Sequence, residues 1–440
     1  MGAEHACGTS SATMGVAGAS ETTQQHHQHR SPPKGQLAAG GSAASALAPP
    51  ASGASGATGP RSLRAGKFQQ LLSRPSVDLL QLRELLWSGA PEEEPRLRAE
   101  AWQMLLGYLP PVRDRQEQGI AKKRREYEEL KRRHYRFDEE EIDGSAGSSG
   151  GGGAGAGSAS SGGGGESSRG SAALSASAAA SAANADGDEA VTVLRQIRVD
   201  IPRTSQGGLP LFTHPRMHRL MERVLYIWSV RHPASGYVQG INDLVTPFIV
   251  VLLAAEVTCP IEEVNLDNVE QSVFDTVEAG AYWCLTKMLS DIQDHYTSGQ
   301  PGIQNMVVKL KDIIRRIDEK LYRHLEEQGL DFLSFSFRWM NCLLMREFPL
   351  PCVIRLWDTY IAEPSEGFST FHVYVCAVFL IYWSPQLKQM DFQQLMLFMQ
   401  KLPTGKWRAR EIETLLAEAF VLKSLFHSSP KHLAAPLQGL

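Results

Sequence analysis

Gly236-Tyr-Val-Gln-Gly-Ile-Asn-Asp-Leu-Val-Thr-Pro247 is the stretch whose reading decides the fold. It lies between two apolar helical patterns. Upstream, Pro215 opens a helix with Met217, Leu220, Met221, Val224, Leu225 and Trp228 on one side, ending at His232-Pro233. Downstream, Pro247-Phe-Ile-Val-Val-Leu-Leu-Ala-Ala255 is apolar on every side, as a helix buried all round must be. Between them Gln239, Asn242 and Asp243 stand at the mouth of the core helix. One reading is an ordinary cap, with Asn242 or Asp243 accepting from free backbone N–H groups. The other is a polar group held at a defined place on the surface.

The same periodicity extends in both directions. Val77–Trp87 has helical spacing and stops at Gly89-Ala-Pro91. The next helix aligns Leu97, Ala101, Met104, Leu105 and Tyr108. A charged helix spans about 114–143, with Ile120, Tyr127, Leu130 and Phe137 as a thin apolar stripe and Lys122-Lys-Arg-Arg125 interleaved with glutamates, which predicts a solvated helix laced with i,i+4 pairs. Ile303 to Leu321 forms one long amphipathic stripe, Phe332 to Met345 is nearly all apolar, and helices follow over Arg355-Leu-Trp-Asp358, Phe371–Trp383 and Glu411–Phe426. Period-two alternation bounded by turns is almost absent, so the fold class is all-α.

Composition sets the other bounds. The 440 residues, 42% of them hydrophobic, can build a large core. A formal charge of −4 gives no reason to expect nucleic acid as a partner. Six cysteines without a C-x-x-C pair, mostly inside apolar runs, suit reduced buried thiols better than disulfides or a zinc site. No signal peptide or bilayer-length apolar run is visible, which predicts a soluble cytoplasmic chain. His26-His-Gln-His29 reads as a polar low-complexity tract, and no metal site is expected. Met1-Gly2 and Cys7 leave acylation open on weak grounds.

Residues 1–66 are Ala, Gly, Ser, Pro and His with hardly a large apolar side chain, and are expected to be disordered. The folded domain is expected over 67–428, interrupted by a flexible insertion at 144–189, with a tail at 429–440. A Gly/Ser/Ala coil of that length spans about 35 Å and costs little to close, so it interrupts one domain without dividing two.

Two segments carry candidate chemistry. In Ile197-x-x-Asp200-x-x-Arg203, Asp200 can brace the chain while Pro202 pre-sets the backbone before Arg203. A lone arginine there is usually a solvated charge, but one on a loop edge can also reach into a partner. Arg98 and Trp102, one turn apart, read as a core tryptophan with an arginine stem beside it.

Arg98-x-x-x-Trp102, Ile197-x-x-Asp200-x-x-Arg203, Tyr237-x-Gln239-Gly240 and Arg355-Leu-Trp-Asp358 occur in the order found in TBC domains, the GTPase-activating domains that act on Rab proteins. Each motif is short; together, inside one helical chain, the resemblance is specific. It covers roughly 67–428. Glu92-Glu-Glu-Pro95 and the insertion depart from the family pattern. The resemblance implies a multi-helix domain with N- and C-terminal lobes and a Rab-family small GTPase in its GTP-bound state as partner. In this role the chain is an activator supplying residues in trans, not an enzyme itself. Arg203 and Gln239 take the family's arginine and glutamine finger roles. Asp200, Thr204, Tyr237, Gly240 and Asn242 position them, and Arg98, Trp102, Arg355, Trp357 and Asp358 support the fold. No cofactor of its own is implied, since GTP and Mg²⁺ come with the partner. Residence in the cytoplasm, peripherally on Golgi or other endomembranes, is implied too. The competing readings are an all-α Rab-binding adaptor without activity and a helical-repeat scaffold, and no self-similar repeat is visible.

Deleting 145–185 is expected to leave the melting temperature and any GTPase stimulation nearly unchanged, since the insertion has nothing to bury. Thermal melts and single-turnover hydrolysis with the deletion variant check this.

Overall fold

The computed structural model describes residues 60–137, 190–204, 209–363 and 367–426, and among these the secondary structure is helical apart from one isolated bridge, Ser76 to Val112. The tail up to residue 59, the whole insertion at 144–189 and the segment 427–440 lie outside the described residues. The all-α class holds.

The core is organised by the helix Thr246–Glu256, whose residues from Thr246 to Leu253 are all buried. It is packed between Pro95–Leu105 and Gln271–Ser290. A second group of helices gathers on Phe368–Tyr382, with Pro301–Ile317 and Ala409–Phe426 against it. Leu350–Ala362 joins the groups, touching Leu79–Trp87, Pro95–Leu105 and Thr246–Glu256 as well as Phe368–Tyr382 and Ala409–Phe426.

Chain chemistry sets the helix starts. Asp78 accepts from the N–H groups of Leu80 and Gln81, Pro95 opens the next helix, and His214 Nδ1 accepts from Arg216 ahead of Pro215–Arg231. The expected boundary at 67 is too late: a helix spans Pro60–Leu72, because Ala65 and Phe68 reach the core and Arg64 donates to the carbonyls of Gly89 (2.7 Å) and Leu85 (2.9 Å). The charged helix ends at His134 rather than near 143. Tyr135 and Phe137 turn the chain onto Tyr226 through edge-on ring contacts, and the Tyr135 hydroxyl donates to Glu222. That helix is not simply solvated either. Tyr127 is buried and donates to Glu278 at 2.8 Å, and the ion pairs along the helix mix i,i+3 with i,i+4 spacing. The stripe from Ile303 to Leu321 is two helices, because Asp318 leaves helical geometry and caps the second by accepting from Leu321 N–H at 3.0 Å. Cys284, Cys342, Cys352 and Cys376 are free and buried as expected, whereas Cys259 is exposed. Among the described residues no helix is long and apolar enough to cross a membrane.

The joint between the helix groups is polar at its centre. Asp358 has no solvent exposure and accepts from the Ala90 N–H (2.9 Å), Trp102 Nε1 (2.8 Å) and Arg98 Nε (3.2 Å). Around it the rings of Trp102, Phe248 and Trp357 pack with centroids 5.4–6.4 Å apart. Arg355 donates to Thr359 Oγ1 at 3.0 Å and lies against Gly89, where any Cβ would stand 2.6 Å from its Nε. Glu92-Glu-Glu94 forms a turn before Pro95 and does not disturb the Arg98–Asp358 pair.

Asp358→Ala is expected to cost about 3–5 kcal/mol of stability, because it leaves the Arg98 charge and the other donors uncompensated in the interior. Urea midpoints of the two proteins measure it. Two buried histidines add a pH dependence. His372 accepts from Tyr360 OH (2.6 Å) and donates to the Trp339 carbonyl (3.1 Å), which uses both ring nitrogens in the neutral form. Burial pushes its pKa down to about 3 and that of His295 to about 4. Unfolded imidazoles titrate near 6.5, so below that pH the unfolded chain binds more protons and stability falls with the pH. Above it the effect is absent. Urea midpoints should therefore drop between pH 7 and 4.5, and less steeply in His372→Gln.

Candidate functional site

Helix 190–200 passes directly into the 3₁₀ turn Ile201–Arg203. Leu194, Ile197 and Ile201 are buried, which fixes the face of this segment that turns inward. Asp200 and Thr204 follow them into the interior, and Arg203 stands outside, exposed. Pro202 sits within the turn, and the turn is closed by Thr204, whose N–H donates to the Ile201 carbonyl (2.9 Å) and whose Oγ1 donates to the Asp200 carbonyl (3.1 Å).

The second segment leaves Pro215–Arg231 and runs to the short helix Ile241–Leu244. Gly240 is held at φ +111°, and a Cβ there would lie 2.4 Å from Asn341 Nδ2, so both backbone geometry and space require glycine. Asn242 turns its Oδ1 back to accept from the Gly240 N–H at 2.9 Å and donates its Nδ2 to Thr204 Oγ1 at 2.7 Å. The Tyr237 hydroxyl donates to Asp200 Oδ2 at 3.1 Å, with Asn242 Oδ1 the longer alternative at 3.3 Å. Gln239 reaches the same carboxylate, Nε2 to Oδ1, at 3.4 Å. Burial, and next to it the charge of Asp200, raises the Tyr237 pKa well above the ordinary phenol range, so the hydroxyl stays a donor.

Asp200, Thr204, Tyr237 and Asn242 thus form a closed hydrogen-bonded base beneath two exposed polar side chains, Arg203 and Gln239. A carboxylate only accepts. Asp200 therefore orients the Gln239 amide with its nitrogen inward, leaving its oxygen without a hydrogen bond among the described residues. The helix-cap reading holds in part: Asn242 accepts from the backbone N–H of Gly240, which stands at the start of Ile241–Leu244, but it also donates to Thr204, and Asp243 pairs with Arg346 Nε at 2.7 Å. Arg98, Trp102, Arg355, Trp357 and Asp358 belong to the separate joint around Asp358 and share no residue with this base.

Two further participants carry no signal of their role in the sequence. Asn341 donates to the main-chain carbonyl of Gln239 at 3.1 Å, across a separation of 102 residues, and Arg346 holds Asp243. Nothing local in Phe337-Arg-Trp-Met-Asn341 aims Asn341 at a distant peptide. Among the described residues no group of His, Cys, Asp and Glu is arranged to hold a metal.

The model of the Rab-GTPase-TBC domain matches residues 175–388. The chain is 42% identical to TBC1 domain family member 22B of Homo sapiens over 383 residues, 87% of this chain and 66% of that protein. It is also 42% identical to GTPase-activating protein gyp1 of Schizosaccharomyces pombe, over 84% of this chain and 63% of that protein. The chain therefore spans just under two thirds of these curated relatives. The crystal structure of the Ypt/Rab-GAP domain of Gyp1p matches with a TM-score of 0.67 at 36% identity, covering 84% of this chain and 100% of that one. A solved domain matched along its whole length, and a fold in which all four motifs fall into two packed polar clusters, make this chain a member of the Rab-GTPase-TBC domain family.

Proposed function

We propose that this chain accelerates GTP hydrolysis by a Rab-family GTPase in its GTP-bound state, with Arg203 and Gln239 acting in trans. The observation that carries the reading is the pair itself: two exposed polar side chains on a base whose every other member is buried and bonded.

GTP hydrolysis asks little covalent work of the protein. It requires an oriented water and neutralised charge on the transferring phosphoryl group. The Arg203 guanidinium is always charged and offers a planar fork to phosphate oxygens. Gln239, with its nitrogen engaged by Asp200, presents an amide oxygen able to accept from a water. An arginine supplied in this way is worth roughly 10³–10⁵ in rate, or about 4–7 kcal/mol of barrier. Nucleotide and Mg²⁺ are the partner's in this reading. Asp200, Thr204, Tyr237, Gly240 and Asn242 act through the fingers by fixing where they start.

The test is single-turnover hydrolysis by a panel of Rab-family GTPases with and without the chain. For the member it stimulates, Arg203→Lys is expected to lower kcat by two or more decades while binding persists, because lysine keeps the charge and loses the fork. The same GTPase with its own water-orienting glutamine changed to Leu is expected to remain substantially stimulated by the wild-type chain and hardly at all by Gln239→Ala. Equal loss whichever partner loses its glutamine would reduce the mechanism to a single arginine finger. Binding without stimulation of any member would make the chain an adaptor.

A further inference from the structure

A buried amide stands directly behind the Gln239 loop. Asn341, the last residue of the helix Phe332–Asn341, is 5% exposed. Its Nδ2 donates to the Gln239 carbonyl at 3.1 Å, while its Oδ1 is buried without a hydrogen bond among the described residues. An orphaned buried acceptor is unfavourable, and a leucine of similar size would fill the place without one. The position is therefore built around the N–H that Asn341 supplies. The same amide crowds the next residue of the loop, since a Cβ at Gly240 would stand 2.4 Å from Asn341 Nδ2.

Asn341 is itself fixed. The Tyr296 hydroxyl donates to its main-chain carbonyl at 2.9 Å. Immediately after it, Leu343 (φ +49°) and Leu344 (φ +61°) are both left-handed, a strained conformation for leucine that persists only where the surroundings enforce it. That turn brings Arg346 back to Asp243 at 2.7 Å. Residues 341–346 thus grip the stretch 239–243 at both its ends.

We propose that Asn341 is a positioning residue for Gln239, setting the finger by its main chain while Asp200 steers its side chain. The side-chain contact to Asp200 is long, at 3.4 Å, so the shorter main-chain contact is the one that defines where the finger begins. This inference rests on the GTPase-activating reading.

The experiment uses the full chain with a Rab-family GTPase that the wild-type chain stimulates, so a failure of the activating reading is seen before any variant is made. Asn341→Leu is expected to lower kcat of stimulated hydrolysis at least tenfold with KM for the GTPase changed less than twofold. Combined with Gln239→Ala it is expected to add nothing, because the finger it positions is gone. Combined with Arg203→Ala it is expected to lower the rate further. A loss that multiplies in full with Gln239→Ala would mark Asn341 as a merely structural residue and overturn the proposal, as would an unchanged kcat. If the leucine variant fails to fold in thermal melts, Asn341→Ser removes the reach of the amide without adding bulk. In the same cycle, a serine loss absorbed by Gln239→Ala supports the positioning role, and one that multiplies with it overturns that role.

Discussion

A carboxylate without access to solvent is the constraint on which this fold depends. Asp358 gathers a peptide N–H, an indole N–H and a guanidinium from the segments around Ala90, Arg98 and Trp102. Desolvating one charge is tolerable only when its partners are in place, so the turn after Trp87, the helix Pro95–Leu105 and the helix Leu350–Ala362 must assemble together. The flanking tryptophans then pack in one arrangement. Such a joint is costly compared with an apolar core of the same volume, and what it gives in return is register between Pro95–Leu105, in the first helix group, and Leu350–Ala362, which joins the two groups.

Asp200 repeats the device at the surface with a different outcome. It too is buried and accepts from side chains of another segment, but one of those side chains, Gln239, is exposed. At Asp358 the donors end in the core; at Asp200 the bonding continues outward into a group that water or a partner can reach. The same chemistry therefore serves cohesion in one place and presentation in the other. Neither exposed side chain sits within a long helix: Arg203 ends a 3₁₀ turn and Gln239 precedes a glycine at positive φ, so each leaves from a backbone that side-chain bonds define.

The all-α class, the core helix and both polar segments are legible in the sequence, because apolar periodicity and short motifs are local signals. Thr246–Glu256 is visible as an unbroken apolar run, and Asp200 as the residue one helical turn from Ile197. What stays hidden is set by contacts across the chain. The break at Asp318 is invisible in the stripe around it, since Leu321 continues the same apolar face after the cap. The early start at Pro60 is hidden because Pro60-Arg-Ser-Leu-Arg-Ala-Gly66 holds a single large apolar side chain, Leu63, which is exposed, and it shows only when Phe68 finds its core. Asn341 and Arg346 are unreadable as parts of the site for the same reason: their partners, Gln239 and Asp243, are separated from them by 102 and 103 residues.

That distance has a consequence for how the site responds to change. The Gln239 loop is tied to helix 190–200 and its turn through Asp200 and Thr204, and to the end of Phe332–Asn341 and the turn after it through Asn341 and Arg346. A perturbation of either segment reaches Gln239 directly through these hydrogen bonds, whereas the turn that carries Arg203 meets the second segment only through Thr204 and Asp200, among the described residues. Substitutions around 341–346 should therefore act on Gln239 directly and on Arg203 only by way of the Thr204 and Asp200 bonds. In the proposed mechanism the glutamine has the stricter geometric task, orienting a neutral water rather than approaching a diffuse charge, and it is the group the fold restrains directly from two sides.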